Sequence, residues 1–408
     1  MKNTVILIAA LFVMSCTGST PEEKELSLLR EEITQDLEGN ILSFWKKHSP
    51  DPNGGFYGVL RFDATPEPEA DKGGVLNARL VWTFSTAYRL LKDESYKQLA
   101  DRAQAYFIEH FIDKEYGGTY WSLKADGSPS IENKQTYGNA FAIYGLSEHY
   151  RATGNEESLR AAISVYNSMI EHAYDPEHGG FIESFTRDWK MNETRMPKTM
   201  NNNLHVLEAL TNLYRVWPDA GLQKHLREQI DIVSNKILDQ TTWHERLYLT
   251  MDWQSTYPVD SYGHDIEFSW LLVEAAEALG DEAIIEETKR YAVHIAETQM
   301  KQGLNAMGAM MSDKSGEHLN TTLEWWQQSE TIVGFLNAWQ ISGDKKFLDG
   351  AVRTWNWIKE YMIDYEYGEW YTYVKEDGTQ VKDHVKADMW RCPYHNSRMG
   401  FEVMTRFR

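Results

Sequence analysis

A turn-and-strand phrase, Asp113-Lys-Glu-Tyr-Gly-Gly-Thr-Tyr120, recurs along this chain and decides its fold. The related copies are Asp51-Pro-Asn-Gly-Gly-Phe-Tyr-Gly58, Asp175-Pro-Glu-His-Gly-Gly-Phe-Ile182 and Asp364-Tyr-Glu-Tyr-Gly-Glu-Trp-Tyr371. Glycines of successive copies are 63, 62 and 188 residues apart, and 188 is about three times 62. Two degenerate copies, at residues 243–252 and 303–313, therefore complete a set of six. Glycine permits the turn, and the aromatic residues after it favour short strands.

A helical segment begins about 22 residues after each turn, and six such segments align without gaps. They start at Asn77, Asn139, Asn203, Asp265, Gln328 and Asn396. After the first turn they are apolar nearly all round, as is typical of helices buried between two layers. A more charged helix, such as residues 157–172 or 283–300, follows each of them and predicts a solvent-side layer.

Six units of two helices predict one all-α domain over residues 28–408. We expect a closed (α/α)6 barrel with short β-hairpin-like loops. An open solenoid would satisfy the same spacing, although it would leave half-buried helices at its two ends.

Composition excludes several classes of protein. The 408 residues are 42% hydrophobic and carry a net charge of −20. Such a chain is neither disordered nor a disulfide scaffold, and its acidity argues against a nucleic-acid partner. Aromatic residues make up 13% of the chain. They either fill the space between helices or line a pocket for a flat, amphipathic ligand.

The N-terminus has the layout of an export signal. A positively charged start precedes the apolar run Val5 to Met14, which is too short to span a membrane. We expect residues 1–15 to be a signal peptide and residues 16–27 to be a lipidated cysteine and a polar tether. Cys16 then resembles the lipidation site of a cell-envelope lipoprotein, and its lipid would be the only membrane attachment. Since Cys392 is the only other cysteine, no internal disulfide is expected.

The first turns of the aligned helices are unusually polar. Asn and Asp at a helix start are ordinary N-caps. Capping does not explain Arg79, His205, Glu267 and Glu330, which lie two positions further in. If the ring closes, these turns converge on one mouth. The polar residues around these starts that would line it include Arg79, Asn139, Asn201, Asn203, His205, His264, Asp265, Glu267, Trp325, Trp326, Gln327, Glu330, Trp390, His395 and Asn396.

Three of the thirteen histidines, His205, His264 and His395, lie in these first turns. His264 and Glu267 share a helix face, but the same His-x-x-Glu spacing occurs at His225 and His294 in the charged helices. Position therefore discriminates better than spacing, and a structural role stays open for each histidine. The common zinc, phosphate-loop and nucleophile-elbow motifs are absent from the sequence, so we expect no metal.

Four segments resemble the cellobiose 2-epimerases of the wider N-acylglucosamine 2-epimerase superfamily. They are Asn201-Asn-Asn-Leu-His205, Gly263-His-Asp-Ile-Glu-Phe-Ser-Trp-Leu-Leu272, Trp325-Trp-Gln-Gln-Ser-Glu-Thr-Ile-Val-Gly334 and Trp390-Arg-Cys-Pro-Tyr-His-Asn-Ser-Arg-Met399. The resemblance extends from about residue 28 to the C-terminus. It departs at Gln327, where the family usually has proline.

The resemblance implies an (α/α)6 barrel and cofactor-independent inversion at C2 of the reducing-end sugar of a β-1,4-linked disaccharide. It implies that His264 and His395 exchange the C2 proton and that His205 donates a hydrogen bond to the oxyanion. Arg79 and Asn201 would act at the reacting oxygens, and Glu267 and Glu330 would orient histidines or hold hydroxyls. The indoles of Trp325, Trp326 and Trp390 would stack on the sugar.

Two other activities stay open from the sequence. An aldose-ketose isomerase passes through the same enediolate. A glycoside hydrolase on a similar barrel would use Glu267 and Glu330 as its carboxylate pair. For either activity the partner is a small sugar, and we expect a monomer.

Overall fold

The computed structural model describes residues 20–406, and the part it describes is mostly helical. Its α-helices are α1 Pro21–Asp36, α2 Ser43–His48, α3 Gly74–Leu91, α4 Glu94–Tyr106, α5 Thr136–Thr153, α6 Glu156–His172, α7 Met200–Val216, α8 Ala220–Ile232, α9 Tyr262–Leu279, α10 Glu282–Gln302, α11 Trp325–Ser342, α12 Lys345–Trp357 and α13 Tyr394–Arg406. Four π-helical segments extend outer helices: Leu37–Leu42, Phe107–Phe111, Val233–Ile237 and Ile358–Met362.

The odd-numbered helices from α3 to α13 form a closed inner ring. Each contacts the next, and α13 returns to contact α3, where the Thr83 and Ser397 hydroxyls lie 3.5 Å apart. The outer layer is formed by the even-numbered helices from α4 to α12 and by α1, which packs on α13 and α12. The predicted (α/α)6 barrel is confirmed, and its closure excludes the open solenoid.

Short antiparallel strands join the units at the N-terminal ends of the inner helices. They are β1 Lys72–Gly73, β2 Ser122–Leu123, β3 Pro129–Ile131, β4 Lys134–Gln135, β5 Ser184–Phe185, β6 Lys198–Thr199, β7 Leu238–Asp239, β8 His244–Glu245, β9 Tyr248–Leu249, β10 Ser255–Tyr257, β11 Asp260–Ser261, β12 Asp313–Ser315, β13 His318–Asn320, β14 Leu323–Glu324 and β15 Tyr373–Val374. The strand before an inner helix pairs with a strand of the next unit, as β1 does with β2 through Lys72 and Leu123. A bridge between Leu60 and Ala387 joins the last unit to the first.

The aligned Asn, Asp and Gln residues are not N-caps, so the capping interpretation is wrong. The helices begin two or three residues earlier, at Gly74 for α3 and at Thr136 for α5. From inside the first turn, the aligned side chain of α5, α7, α9 and α11 accepts a hydrogen bond from a backbone N–H of the preceding turn. The donor and acceptor lie 2.9 Å apart for Thr119 and Asn139, and 2.8 Å apart for Glu245 and Asp265. In these four units the polar residue thus joins the helix to its turn.

A buried ion pair repeats in four of the six units. The aspartate that opens the turn phrase binds a lysine just before the inner helix, as Asp51 binds Lys72 at 2.6 Å. The other pairs are Asp113 with Lys134, Asp175 with Lys198, and Asp364 with Lys386. All eight side chains are almost completely buried. The pairs therefore fix the turns against the helix starts.

The structure describes only part of the N-terminal segments that were predicted from the sequence. The signal peptide of residues 1–15 and Cys16 lie outside the described residues and stay predictions. Helix α1 begins at Pro21, within the predicted tether of residues 16–27. A capping box explains this start: the Thr20 hydroxyl accepts from the Glu23 N–H, and the Glu23 carboxylate accepts from the Thr20 N–H. Among residues 20–406, no helix combines the length and apolarity needed to cross a bilayer.

Removing one partner of a repeated pair should destabilise the barrel strongly. Asp364→Asn leaves the Lys386 ammonium buried without a carboxylate, and such losses cost about 3–5 kcal/mol. We expect a decrease of that size in the free energy of unfolding, measured by urea titration. Glu109→Gln is the control, because its pair with Lys114 is exposed and should change stability little. Equal stability of Asp364→Asn and the wild type would contradict a stabilising role.

Candidate active site

The first turns of the inner helices surround a cavity of about 180 Å³ at one end of the barrel. Its lining residues are Arg79, Tyr137, Asn201, His205, His264, Glu267, Trp325, Trp326, Trp390 and His395. Nine of the ten site residues that the family resemblance implies are among them. The tenth, Glu330, is buried behind His395 and contacts its ring.

His395, at the start of α13, is held by two carboxylates. Its Nδ1 atom lies 2.8 Å from a Glu330 oxygen and 3.8 Å from a Glu267 oxygen. Burial nevertheless holds the pKa of His395 well below its ordinary value, against the attraction of Glu267. The ring is therefore neutral at pH 7, and a carboxylate beside Nδ1 favours the proton on that nitrogen. This tautomer leaves Nε2 unprotonated, as a general base requires.

His264, in the first turn of α9, contacts the same indole as His395. Its ring centroid is 4.7 Å from that of Trp326, and the His395 centroid is 5.4 Å from the same indole. The Ser261 hydroxyl lies 2.7 Å from Nδ1 of His264. Burial lowers the pKa of His264 to about 4, although Glu267 opposes the shift. Burial thus favours the neutral form of both histidines, and both lie beside Trp326.

His205, in α7, is the third histidine of the cavity. Its Nδ1 atom lies 3.0 Å from a carboxylate oxygen of Glu208, one turn further along the helix. Burial alone would raise the pKa of Glu208, but Arg398 and His205 hold that pKa at about 2. The ionised carboxylate therefore fixes the orientation of the imidazole.

The guanidinium of Arg398 joins the three acidic residues beneath the cavity. Its nitrogens lie 2.5 Å from Glu208 and 2.6 Å from Glu330, and it also donates a hydrogen bond to Glu267. The ring of Tyr394 covers one side of the cation, 4.3 Å from it. Burial alone would lower the pKa of Arg398, but the carboxylates raise it well above its ordinary value. Residues from α7, α9, α11 and α13 therefore share one buried ion cluster.

This cluster also bears on metal binding. Glu267, Glu330 and His395 offer three potential ligand atoms within 4.8 Å of one another. Arg398, however, already binds both carboxylates from the barrel interior. Its guanidinium takes the place that a metal ion would need, so this donor set does not fit a metal.

A second buried cation, Arg79 of α3, also lines the cavity. Arg79 donates a hydrogen bond of 2.9 Å to the Tyr137 hydroxyl and lies 4.2 Å from the ring centroid of Phe141. The aromatic surroundings and a hydrogen bond to the Trp390 carbonyl fix its orientation. Arg79 therefore offers a positioned donor to a ligand oxygen.

Several buried polar atoms of the cavity have no partner in the described chain. They are Nε of Arg79, Oδ1 of Asn201, Oε2 of Glu267 and Nε1 of Trp325. Buried polar groups are normally hydrogen-bonded, so this set predicts a ligand that both donates and accepts hydrogen bonds. Trp390, 48% exposed at the rim, adds an open aromatic surface. Hydroxyls and flat faces together are the chemistry of a sugar.

Sequence reasoning missed three residues of the site: Tyr137, Glu208 and Arg398. Arg398 occupies the same helical register as Arg79, His205, Glu267 and Glu330, two positions after the aligned polar residue. Tyr137 occupies the register of Asn201. The repeat alignment therefore contained a signal for both. Glu208 had only the His-x-x-Glu spacing, which also occurs outside the cavity.

Comparison with known proteins agrees with this geometry. Residues 55–397 match the family model of N-acylglucosamine 2-epimerase. A cellobiose 2-epimerase of Bacteroides fragilis is 44% identical, over 92% of this chain and 99% of that protein. The solved cellobiose 2-epimerase of Bacillus thermoamylovorans B4167 superposes with a TM-score of 0.90 at 36% identity, covering 93% of this chain and all of that one.

A solved D-mannose isomerase superposes with a TM-score of 0.81 at 20% identity and shares the fold. The match to the epimerases is closer in both structure and sequence. The chain therefore belongs to the N-acylglucosamine 2-epimerase family, among the cellobiose 2-epimerases, and is a sugar epimerase.

Proposed function

We propose that this enzyme inverts C2 of the reducing-end sugar of a β-1,4-linked disaccharide without a cofactor. Its substrates would be cellobiose, giving glucosylmannose, or mannobiose, giving mannosylglucose. The observation that carries the proposal is the pair His264 and His395 beside Trp326, in a cavity whose unpartnered polar atoms suit sugar hydroxyls. The 44% identity to a cellobiose 2-epimerase supports the choice of substrate.

The chemistry explains why two histidines are needed. A C2 proton is acidic only when C1 is a carbonyl, so the sugar ring must open first. Loss of the proton then gives a planar enediolate. Inversion requires a base on one face and an acid on the other, and imidazole serves both roles near neutral pH. The electron pair returns to the carbon that it left, so no redox cofactor takes part.

We assign the proton transfers to His264 and His395. The histidine facing the C2 proton accepts it as a neutral imidazole. The opposite histidine takes up a proton from solvent and delivers it to C2 as an imidazolium, a form that the neighbouring carboxylates and the negative enediolate stabilise. The first histidine then returns the abstracted proton to solvent, so both rings end neutral. For His395 that carboxylate is Glu330, 2.8 Å from Nδ1.

The remaining lining residues bind and orient the substrate in this proposal. His205 donates a hydrogen bond to the developing oxyanion, and Arg79 and Asn201 act at the reacting oxygens. The indoles of Trp325 and Trp326 lie against the reducing-end sugar. Trp390, at the rim, stacks on the second ring.

A hydrolase mechanism fits the geometry poorly. Glu267 and Glu330 do not provide a free pair of carboxylates, because both accept a hydrogen bond from the same nitrogen of Arg398. Glycosidases need their two carboxyl groups on opposite sides of the scissile bond, about 5–9.5 Å apart. A substrate cannot pass between two oxygens that share one guanidinium nitrogen.

An isomerase would use the same enediolate and differs only in where the proton returns.

Deuterium exchange distinguishes these reactions. We expect incubation with cellobiose or β-1,4-mannobiose in deuterated water to place deuterium at C2 of a reducing-end epimer, as followed by NMR. Deuterium at C1 of a new ketose would instead identify an isomerase. Release of monosaccharides without exchange would identify a hydrolase, and either result would overturn the proposal.

Each of the two proposed proton-transfer histidines should be essential. His264→Asn and His395→Asn each remove one of the two imidazoles that exchange the C2 proton. We expect kcat to fall about 100- to 10,000-fold, the usual size of a general acid-base contribution. His294→Asn is the matched control, because it has the same His-x-x-Glu spacing on the outer helix α10. Near-normal turnover in either cavity variant would refute the two-histidine assignment.

The buried neutral histidines also predict a pH dependence of stability. The pKa of His264 falls from about 6.5 in the unfolded chain to about 4 in the barrel, so below pH 6.5 the unfolded chain binds a proton that the native state excludes. The stability that His264 contributes as a neutral ring is therefore fully present above pH 6.5. As the pH falls from 6.5 to 4, the free energy of unfolding decreases by up to about 1.4 kcal/mol per pH unit.

Urea titrations of the wild type and His264→Asn between pH 7 and pH 4.5 would measure this contribution. We expect the wild type to lose more stability on acidification than the variant, since the variant lacks the titrating ring. Parallel losses in the two proteins would show that His264 titrates normally in the barrel.

A further inference from the structure

The sixth unit departs from the repeat in two places that meet at one ion pair. Where the second and third units have Gly118 and Gly180, the sixth has Glu369. In addition, Lys386 precedes α13 by eight residues, whereas Lys134 precedes α5 by two. The six extra residues include Trp390 and Arg391.

The backbone of Glu369 adopts a conformation that favours glycine. Its φ angle is +64°, close to the +64° of Gly118 and the +69° of Gly180. A Cβ atom at Gly118 would lie 2.8 Å from Oδ1 of Asn139, so the repeat normally excludes a side chain here. Retention of a strained residue requires surroundings that hold it firmly in place.

The surroundings of the Glu369 carboxylate meet that requirement. The side chain is completely buried and binds the guanidinium of Arg391. It also accepts hydrogen bonds of 3.0 Å from Trp45 Nε1 and 2.9 Å from Asn396 Nδ2. Asn396 follows His395 directly and here donates to Glu369, whereas its counterpart Asn139 accepts a backbone N–H.

Arg391 connects the buried Glu369 carboxylate to Trp325, an aromatic residue that lines the cavity. Its guanidinium lies 4.6 Å from the ring centroid of Trp325 and donates a hydrogen bond of 3.0 Å to the Trp370 carbonyl. The Asp388 carboxylate accepts the N–H groups of Trp390 and Arg391, both at 2.7 Å, and closes the inserted turn. Fixing Arg391 therefore fixes the backbone of Trp390 and one face of Trp325.

We propose that the buried Glu369–Arg391 pair is a positioning device that holds the Trp325 and Trp390 indoles for the disaccharide. This inference rests on the proposed function and assigns to it two residues that do not line the cavity. The pair differs from the repeated Asp–Lys pairs, because its arginine contacts an indole of the cavity and its glutamate occupies a glycine position of the repeat. Asp364 and Lys386 form the repeated pair of this unit as well. Its loss should weaken substrate binding more than proton transfer, since His264 and His395 keep their own contacts.

The test compares this pair with a repeated ion pair of the same unit. We expect Glu369→Gln and Arg391→Met to raise KM for cellobiose at least tenfold while kcat stays within threefold of the wild type. Asp364→Asn is the matched control: it breaks an equally buried pair and should lower stability without changing KM. The double variant Glu369→Gly with Arg391→Met restores the glycine of the repeat and leaves no buried charge unpaired. It should therefore fold even where the single variants do not, and show the same rise in KM.

An unchanged KM in the folded double variant would overturn the proposal, as would an equal rise in KM for Asp364→Asn. Quenching of tryptophan fluorescence by cellobiose measures binding separately from the reaction. If the wild type binds cellobiose without epimerising it, the proposed function fails. The positioning role is then decided by whether the double variant binds at least tenfold more weakly.

Discussion

The guanidinium of Arg398 is the point on which the site depends. It lies inside the ring, on α13, and binds one carboxylate from each of α7, α9 and α11. A buried cation is costly unless it is paired and hydrogen-bonded, and these three carboxylates provide that compensation only when the ring is closed. The same contacts order the cavity above, because Glu208 holds His205 and Glu330 holds His395. One ion cluster therefore links closure of the barrel to the orientation of His205 and His395.

The repeat provides the scaffold, and departures from it provide the chemistry. Buried Asp–Lys pairs and the aligned polar side chains fix each turn against its inner helix. This arrangement brings six first turns to one end of the barrel. Positions next to the aligned polar residue then differ from unit to unit, as Arg79, His205 and Glu267 show at a single register. A symmetric frame thus presents an asymmetric set of side chains to one small cavity.

The architecture could be predicted from the sequence because its signal is periodic. Turn spacing gave the six units, and the polar first turns located nine of the ten lining residues. The helix starts were two or three residues off, because an Asn or Asp that accepts a backbone N–H from a neighbouring turn resembles an N-cap. The early start of α1 was missed because its capping box lies in an otherwise polar segment.

Long-range pairing was the part that sequence could not supply. Nothing in the sequence shows that Arg398 meets Glu208 across 190 residues, or that Glu369 replaces a repeat glycine to bind Arg391. Those contacts exist only because the ring closes. Closure of the ring also buries His264 and His395, and this burial lowers the pKa of both histidines.

The most direct test of this arrangement is the tautomeric state of the cavity histidines. Two-bond ¹H–¹⁵N correlation on protein labelled with ¹⁵N-histidine reports which ring nitrogen carries the proton, and single histidine variants assign the signals. At pH 7 we predict a neutral ring for His395, with the proton on the Nδ1 atom that faces Glu330. An imidazolium at His395, or a proton on its Nε2, would contradict the claim that the carboxylate cluster prepares this histidine for catalysis.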